Sequence, residues 1–163
     1  MLHFVVATNS EARPIIDLFN LKKIVKITEF RIYANNNISL TISGIGKNNC
    51  AMAVSHTFFE FNKRKNDVWI NIGLAGHKSY KIGEIFLVNK IQDNSSKKRI
   101  FPYISDFRIK SNDCITFEDE NKEYNSSLSD MEASSFHLAA QRYSTKELIQ
   151  TIKIISDNKK NSI

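Results

Sequence analysis

The sequence is short of several features, and each absence excludes a class of protein. No apolar run approaches the roughly 20 residues that a membrane-spanning helix needs, so no membrane partner is expected. The opening stretch, Met1-Leu2-His3-Phe4-Val5-Val6-Ala7, lacks the basic n-region of a signal peptide and reads as a first strand. The two cysteines, Cys50 and Cys114, show no metal-ligand spacing. The simple expectation is a reduced, cytoplasmic compartment. There is no internal repeat and no evident linker. A chain of 163 residues with 42% hydrophobic and 25% charged content reads as one globular domain over residues 1–163, with a sizeable core.

The net charge is +6, with basic residues in small clusters: Lys22-Lys23, Lys63-Arg64-Lys65, Lys97-Lys98-Arg99 and Lys159-Lys160. None is interleaved with the aromatic and glycine pattern of a single-strand binder. A solvated lysine-rich surface is the simpler reading than a nucleic-acid partner.

Strand and helix patterns alternate along the chain. Leu2 to Ala7 reads as a strand, and Asn9 or Ser10 as the cap of a helix with Glu11 in its first turn and Ile15, Ile16, Leu18 and Phe19 on its apolar side. Lys22 to Thr28 suits a strand. Phe30–Ile32 and Ile38–Ile42 flank Asn35-Asn36-Asn37 as a hairpin. The turn Ser43-Gly44-Ile45-Gly46 leads into a helix with Ala51, Val54, Phe58 and Phe61 at helical spacing. Asp67 to Ile72 is a short strand ending in a glycine turn, and Glu84 to Val88 is another, introduced by Gly83. From Asn94 to Glu123 the pattern is weaker, with a short strand at Cys114-Ile115-Thr116-Phe117. Met131 to Tyr143 reads as a helix, Ser144 or Thr145 caps a short turn, and Thr151 to Asn158 is a last strand. This order predicts an α/β three-layer sandwich around a mixed, largely parallel sheet.

Several stretches carry chemistry. In open α/β sheets ligands bind beyond the carboxyl ends of strands. The last strand would deliver Asp157 to such an end, with Thr151, Lys153 and Ile155 on the same face by period-two alternation. Glu11 follows the first strand at the same edge, although an acidic residue in a first helical turn is also favoured by the helix dipole. Ser43-Gly44-Ile45-Gly46-Lys47 offers backbone N–H groups to an anion or a hydroxyl. It is neither a dinucleotide fingerprint nor a Walker loop, and a plain strand-to-helix turn explains it equally. In Asn71-Ile72-Gly73-Leu74-Ala75-Gly76-His77 the glycines permit close backbone approach; a flat ring read by backbone groups and a tight bulged turn are both open. His77 is a loop histidine, solvated unless catalytic. His3, His56 and His137 are given no role. Glu132 leads the stripe Phe136, Ala139, Tyr143, so its carboxylate faces inward and must be paired or bind something, such as ribose hydroxyls or a core cation. Asp130 is better placed as a cap.

Taken together these segments resemble the purine nucleoside phosphorylase/nucleosidase superfamily, most of all the methylthioadenosine/S-adenosylhomocysteine nucleosidases and futalosine-hydrolase-like members. Ala7-Thr8-Asn9-Ser10-Glu11-Ala12 is similar to the segment with the family's water-activating glutamate. Ser43 to Lys47 is similar to its Ser-Gly-Ile-Gly-Lys turn, and Asn71 to Gly76 to its Asn-Thr-Gly-Ser-Ala-Gly turn. Met131-Glu132-Ala133 resembles the Met-Glu-Ala ribose motif, and Ile155-Ser156-Asp157 the Ile-Ser-Asp motif with the general acid. The chain departs from the family at Leu74 (a serine there) and His77 (a glycine). It is shorter between Ile91 and Leu128, and relatives continue beyond Asp157 into a terminal helix.

The resemblance implies cleavage of a purine ribosyl N-glycosidic bond, by water as the preferred reading, with two alternatives: a phosphorylase with phosphate as co-substrate, or a degenerate member that binds a nucleoside without turnover. Glu11 and Asp157 would be catalytic, with Met131 and Glu132 on the ribose. Leu74, Ala75, Gly76 and Phe117 would lie on the base, and the turn Ser43, Gly44, Gly46 near the ribose or an anion. Arg13, Lys47 and Arg99 are the cations available to a phosphate. The family implies a homodimer or a higher homo-oligomer, a small nucleoside as the other partner, and no metal or organic cofactor.

Overall fold

The computed structural model describes residues 1–24, 29–61, 66–104, 108–120 and 124–160. The expected strand residues 25–28, the basic cluster Lys63-Arg64-Lys65 and residue Glu123 lie outside these.

Strand β1 (Leu2–Val6) forms parallel ladders with β4 (Ile38–Ile42) on one side and β5 (Val68–His77) on the other. Beyond β4 lie β3 (Arg31–Ala34) and the two-residue β2 (Lys22–Lys23), both antiparallel. On the other side β5 runs parallel to β10 (Ile149–Asn158) over most of their length. The ladder continues from β10 to β6 (Ile85–Asp93), β8 (Ser111–Thr116) and β9 (Leu128–Asp130), and β9 meets β5 again at Gly76. The far half of the sheet therefore closes on itself, while β7 (Arg99–Ile100) pairs with the end of β6. The ladders β4–β1–β5–β10 and β6–β8–β9 are parallel, whereas β2–β3–β4, β6–β7, β10–β6 and β5–β9 pair antiparallel, which makes the sheet mixed.

Helices cover both faces. Helix α1 (Asn9–Phe19) packs Ala12 and Ile15 on Phe4, Val6, Leu40 and Ile42. Helix α2 (Lys47–Glu60) and helix α3 (Ala133–Ala140) cover the opposite face, with Cys50, Ala53, Val54, Phe136 and Ala140 around Val5, Trp69 and Ile149. Alternate β1 residues thus feed different cores, as the period of two requires. A third cluster, including Phe86, Ile91, Leu128 and Ile155, fills the closed half. Among the described residues no helix is long and apolar enough to cross a membrane.

Four local expectations need correction. Helix α1 is capped by Thr8, not Asn9 or Ser10: the Thr8 side chain accepts from the Glu11 N–H while the Glu11 side chain accepts from the Thr8 N–H, a capping box. Helix α2 buries Cys50, Ala53, Val54 and Thr57 rather than the stripe Ala51, Val54, Phe58, Phe61, a rotation of about one residue. The segment after Ile72 is no turn, because β5 continues to His77 paired with β10. Its glycines serve close approach instead. A Cβ on Gly73 would lie 2.9 Å from Lys153 Nζ, and one on Gly76 would lie 2.8 Å from both Asp157 Oδ2 and Tyr124 Cε1. Finally, helix α3 starts at Ala133 and ends at Ala140, shorter than Met131 to Tyr143.

Candidate active site

Residues at or just after the carboxyl ends of β1, β5, β8, β9 and β10 converge around a cavity of about 200 Å³, although β8 and β9 run against β5 and β10. Glu11, Asp157, Met131, Glu132, Leu74, Ala75, Gly76 and Phe117 all line it. So do Ile45, Asp130, Ser156 and Glu120, which the sequence did not single out as site residues. Ser43 and Gly44 do not line it. The Ser43 hydroxyl lies within hydrogen-bonding distance of the Val6 and Gly44 carbonyls, so it fastens the turn to β1 rather than facing a ligand. Gly46 acts through its backbone: at φ 101°, a region glycine tolerates, its N–H donates to Glu132 Oε1 at 2.9 Å.

Glu11 is held by its own capping box. Oε2 accepts from the Ala7 N–H (2.9 Å), the Thr8 N–H (2.7 Å) and the Thr8 hydroxyl (3.0 Å). Among the described residues, Oε1 accepts one hydrogen bond, from the Leu74 N–H at 2.9 Å. A carboxylate oxygen takes about two donors, so Oε1 keeps one lone-pair direction for a water or a hydroxyl. The same carboxylate that caps the helix is thus fixed in rotamer and aimed at the cavity, and the two readings of Glu11 turn out to be compatible.

Asp157 reaches the cavity through an irregularity. Ile155 pairs with Ala75 and Asp157 with Gly76, so Ser156 is an extra residue bulged out of β10. A bulge re-aims the side chains that follow it. Alternation therefore ends at Ile155, and Ser156 and Asp157 both line the cavity, where the Ser156 hydroxyl donates to Asp157 Oδ1. The bare backbone of Gly76 leaves Asp157 its room.

Lys153 does not approach this acid as its closest partner. It is fully buried, with Nζ 2.7 Å from Asp130 Oδ2 but off the line of a well-directed hydrogen bond. Asp130 also accepts from the Thr116 hydroxyl (2.7 Å) and from the Glu132 and Ala133 N–H groups (3.1 and 2.7 Å); it secures the first turn of α3 from outside, while the N-cap position itself is Glu132 and not Asp130 as expected. Burial works to raise the Asp130 carboxyl, but the Lys153 charge beside it holds it below the usual carboxylate range. Burial works against the Lys153 charge, yet Asp130 and Glu132 keep it above the usual lysine value. For Glu132 burial wins: its carboxyl is raised, with Lys153 opposing and Asp130 and Glu11 adding to the rise. The core cation anticipated for Glu132 exists, but its direct contact is Asp130.

His77 is buried at the end of β5 and outside the cavity lining. Its Nδ1 accepts the Ser79 and Tyr80 N–H groups, which leaves Nε2–H to donate to the Ser126 carbonyl at 3.1 Å. Burial lowers its pKa, and it stacks on Tyr80. It is a structural histidine rather than a solvated one. The three candidate phosphate ligands lie elsewhere: Arg13 pairs with Asp17 on the surface, Arg99 donates to Gln92, and Lys47 pairs with Asp93 and Glu118. Among the described residues that line the cavity there are five carboxylates and no lysine or arginine. The described residues contain no group of acidic, histidine and cysteine side chains arranged to hold a metal.

No family model matches the sequence, and no curated protein does. Solved structures do. The chain is similar to an MTA/SAH nucleosidase with a TM-score of 0.83 at 15% identity, covering 99% of this chain and 83% of that one. It is similar to Arabidopsis thaliana 5'-methylthioadenosine nucleosidase with a TM-score of 0.85 at 16% identity, covering 99% and 83%. Against a Helicobacter pylori futalosine hydrolase mutant the TM-score is 0.74 at 16% identity, covering 95% and 89%. At such identities the likeness is one of architecture: the chain has the nucleoside phosphorylase-like fold that these nucleosidases and futalosine hydrolase share.

Proposed function

We propose that the protein is a nucleosidase that uses water to cleave the N-glycosidic bond of a purine nucleoside, or of a nucleoside modified at its 5' position such as methylthioadenosine. The observation that carries this reading is the cavity lining: Glu11, Glu132 and Asp157 converge there, no lysine or arginine is among the described lining residues, and the buried Lys153 behind them is engaged by Asp130. A cavity walled by carboxylates suits neutral hydroxyls and a water. It repels inorganic phosphate, which disfavours a phosphorylase.

Bond cleavage of this kind develops an oxocarbenium-like centre, and it needs an acid on the leaving group and a base on water. Asp157 gives its proton to the purine N7, so that the C–N bond pair departs with a neutral base. Glu11, through the open side of Oε1, orients a water and takes its proton as the oxygen bonds to the sugar carbon. Glu132 holds ribose hydroxyls while its other oxygen is anchored on the Gly46 N–H, and Met131 packs beside it. Leu74, Ala75, Gly76 and Phe117 form the wall for the base. General acid–base help is worth about 10²–10⁴-fold per group. Glu11→Gln and Asp157→Asn are therefore each expected to lower base release by about that factor without loss of fold. Full activity in either variant would remove that residue from the mechanism.

Helix α2 supports an assembly of like chains. Met52 and Phe59, seven residues apart on the side of the helix away from its buried residues, and Ile45 in the turn before it are each more than half exposed. A second copy of the chain is the proposed cover, with Ile45 bringing that interface to the cavity rim. Sedimentation as a monomer at micromolar concentration would contradict it.

A further inference from the structure

Lys47 follows directly on Gly46, whose N–H holds Glu132, and its ammonium is drawn away from the cavity. Nζ lies 2.8 Å from Asp93 Oδ2 and 3.1 Å from the Ser95 hydroxyl, and it also pairs with Glu118. Asp93 closes β6 and accepts the Ser134 hydroxyl of α3 at 3.1 Å through the same oxygen, while Oδ1 takes the Ser96 N–H and the Ser95 hydroxyl. Glu118 is the residue after Phe117, and the Phe117 N–H donates to the Asp130 carbonyl at 2.8 Å. One partly buried cation therefore joins the start of α2, the end of β6, the start of α3 through Asp93, and the segment that carries Phe117.

From this junction we infer that Lys47 is a positioning residue for the ribose and base walls. It fixes the distance between the Gly46–Glu132 anchor and the Phe117 segment without touching substrate. The inference rests on the proposed nucleosidase reading. The two carboxylate partners differ in environment: Asp93 is only 10% exposed at its side chain, Glu118 is 59% exposed, and Lys47 itself is 13% exposed. The link to Asp93 is the fixed part, and the link to Glu118 is the part that salt can screen.

Walls that bind ground state and transition state alike act on KM rather than kcat. With methylthioadenosine as substrate, Lys47→Met is expected to raise KM about tenfold or more, with kcat changed less than about threefold and the pH profile unmoved. Lys47→Arg should restore most of the KM. Glu118→Gln should raise KM by a smaller factor with no fall in Tm, and raising salt to about 1 M should mimic it in the wild type but not in that variant. If Lys47→Met does not fold, Glu118→Gln and its salt response carry the test. An unchanged KM in Glu118→Gln together with a folded, unchanged Lys47→Met overturns the inference, as does a fall in kcat alone. Absence of turnover in the wild type would count against the nucleosidase reading only. The same ratios are then read as the Kd for adenine by calorimetry, where equal values for wild type and Lys47→Met overturn the inference.

Discussion

Gly76→Ala is the smallest perturbation that should separate Asp157 from its task. A Cβ built on Gly76 falls 2.8 Å from Asp157 Oδ2, 2.8 Å from Tyr124 Cε1 and 3.2 Å from Tyr124 Cδ1. Carbon pairs rest at about 3.5–4.0 Å, so about 0.7 Å or more must be found on the Tyr124 side. That ring is nearly buried, at 9% exposure. The cheaper response is rotation of the Asp157 carboxylate, which breaks its alignment with the Ser156 hydroxyl and with the leaving base. Misplacement of about 1 Å at a reacting group costs about 10²-fold, so kcat should fall by about that factor. Overpacking costs about 1–3 kcal/mol, and for a chain of this size each kcal/mol lowers Tm by about 2–4 °C. Base release by chromatography and a thermal melt read the two quantities. A variant that keeps kcat within about threefold of wild type would show that Asp157, in this position, is not the reacting acid.

Three further predictions follow from the electrostatics. Lys153→Met leaves Asp130 as an uncompensated buried charge and should cost about 3–5 kcal/mol, whereas the double variant with Asp130→Asn should be more stable than the single one; denaturant titration of both gives the answer, and simple additivity would contradict the pairing. Burial lowers the pKa of His137 from the ordinary 6.5 to about 3, so between these values the unfolded chain binds a proton that the folded chain refuses. Stability from this group is complete above pH 6.5 and lost as pH falls toward 3, and His137→Gln should flatten the fall in Tm between pH 6.5 and 5; an unchanged slope would contradict it. At an effective dielectric of about 20, a phosphate charge about 6 Å from one cavity carboxylate meets roughly 3 kcal/mol of repulsion. AMP should therefore be cleaved at least about 10²-fold less efficiently than adenosine, and equal kcat/KM values would contradict the charge argument.

Much of the fold was legible because its signals are local. The Asn35-Asn36-Asn37 hairpin, the strand at Leu2 and the last strand follow from alternation and turn chemistry. The capping box Thr8-Asn9-Ser10-Glu11 was equally present in the sequence, and its threonine-x-x-glutamate spacing was the signal that would have found Thr8. What alternation could not show is the bulge at Ser156, since one inserted residue is set by pairing with β5, a partner about 80 residues away. The same holds for the glycines: Gly73 and Gly76 looked like turn residues, but the side chains that demand them, Lys153, Asp157 and Tyr124, come from distant segments. The site edge was foreseen from strand order and motif likeness. The destination of Lys47 was not, because a lysine after a glycine turn carries no local sign of whether it meets an anion or two carboxylates.

The most direct test of the central claim is release of free base by the wild-type protein from methylthioadenosine, S-adenosylhomocysteine, adenosine, inosine and futalosine, each with and without phosphate. The account predicts release from at least one of them at a rate that phosphate does not change. Release that requires phosphate, or binding of these nucleosides with no release from any, would contradict it.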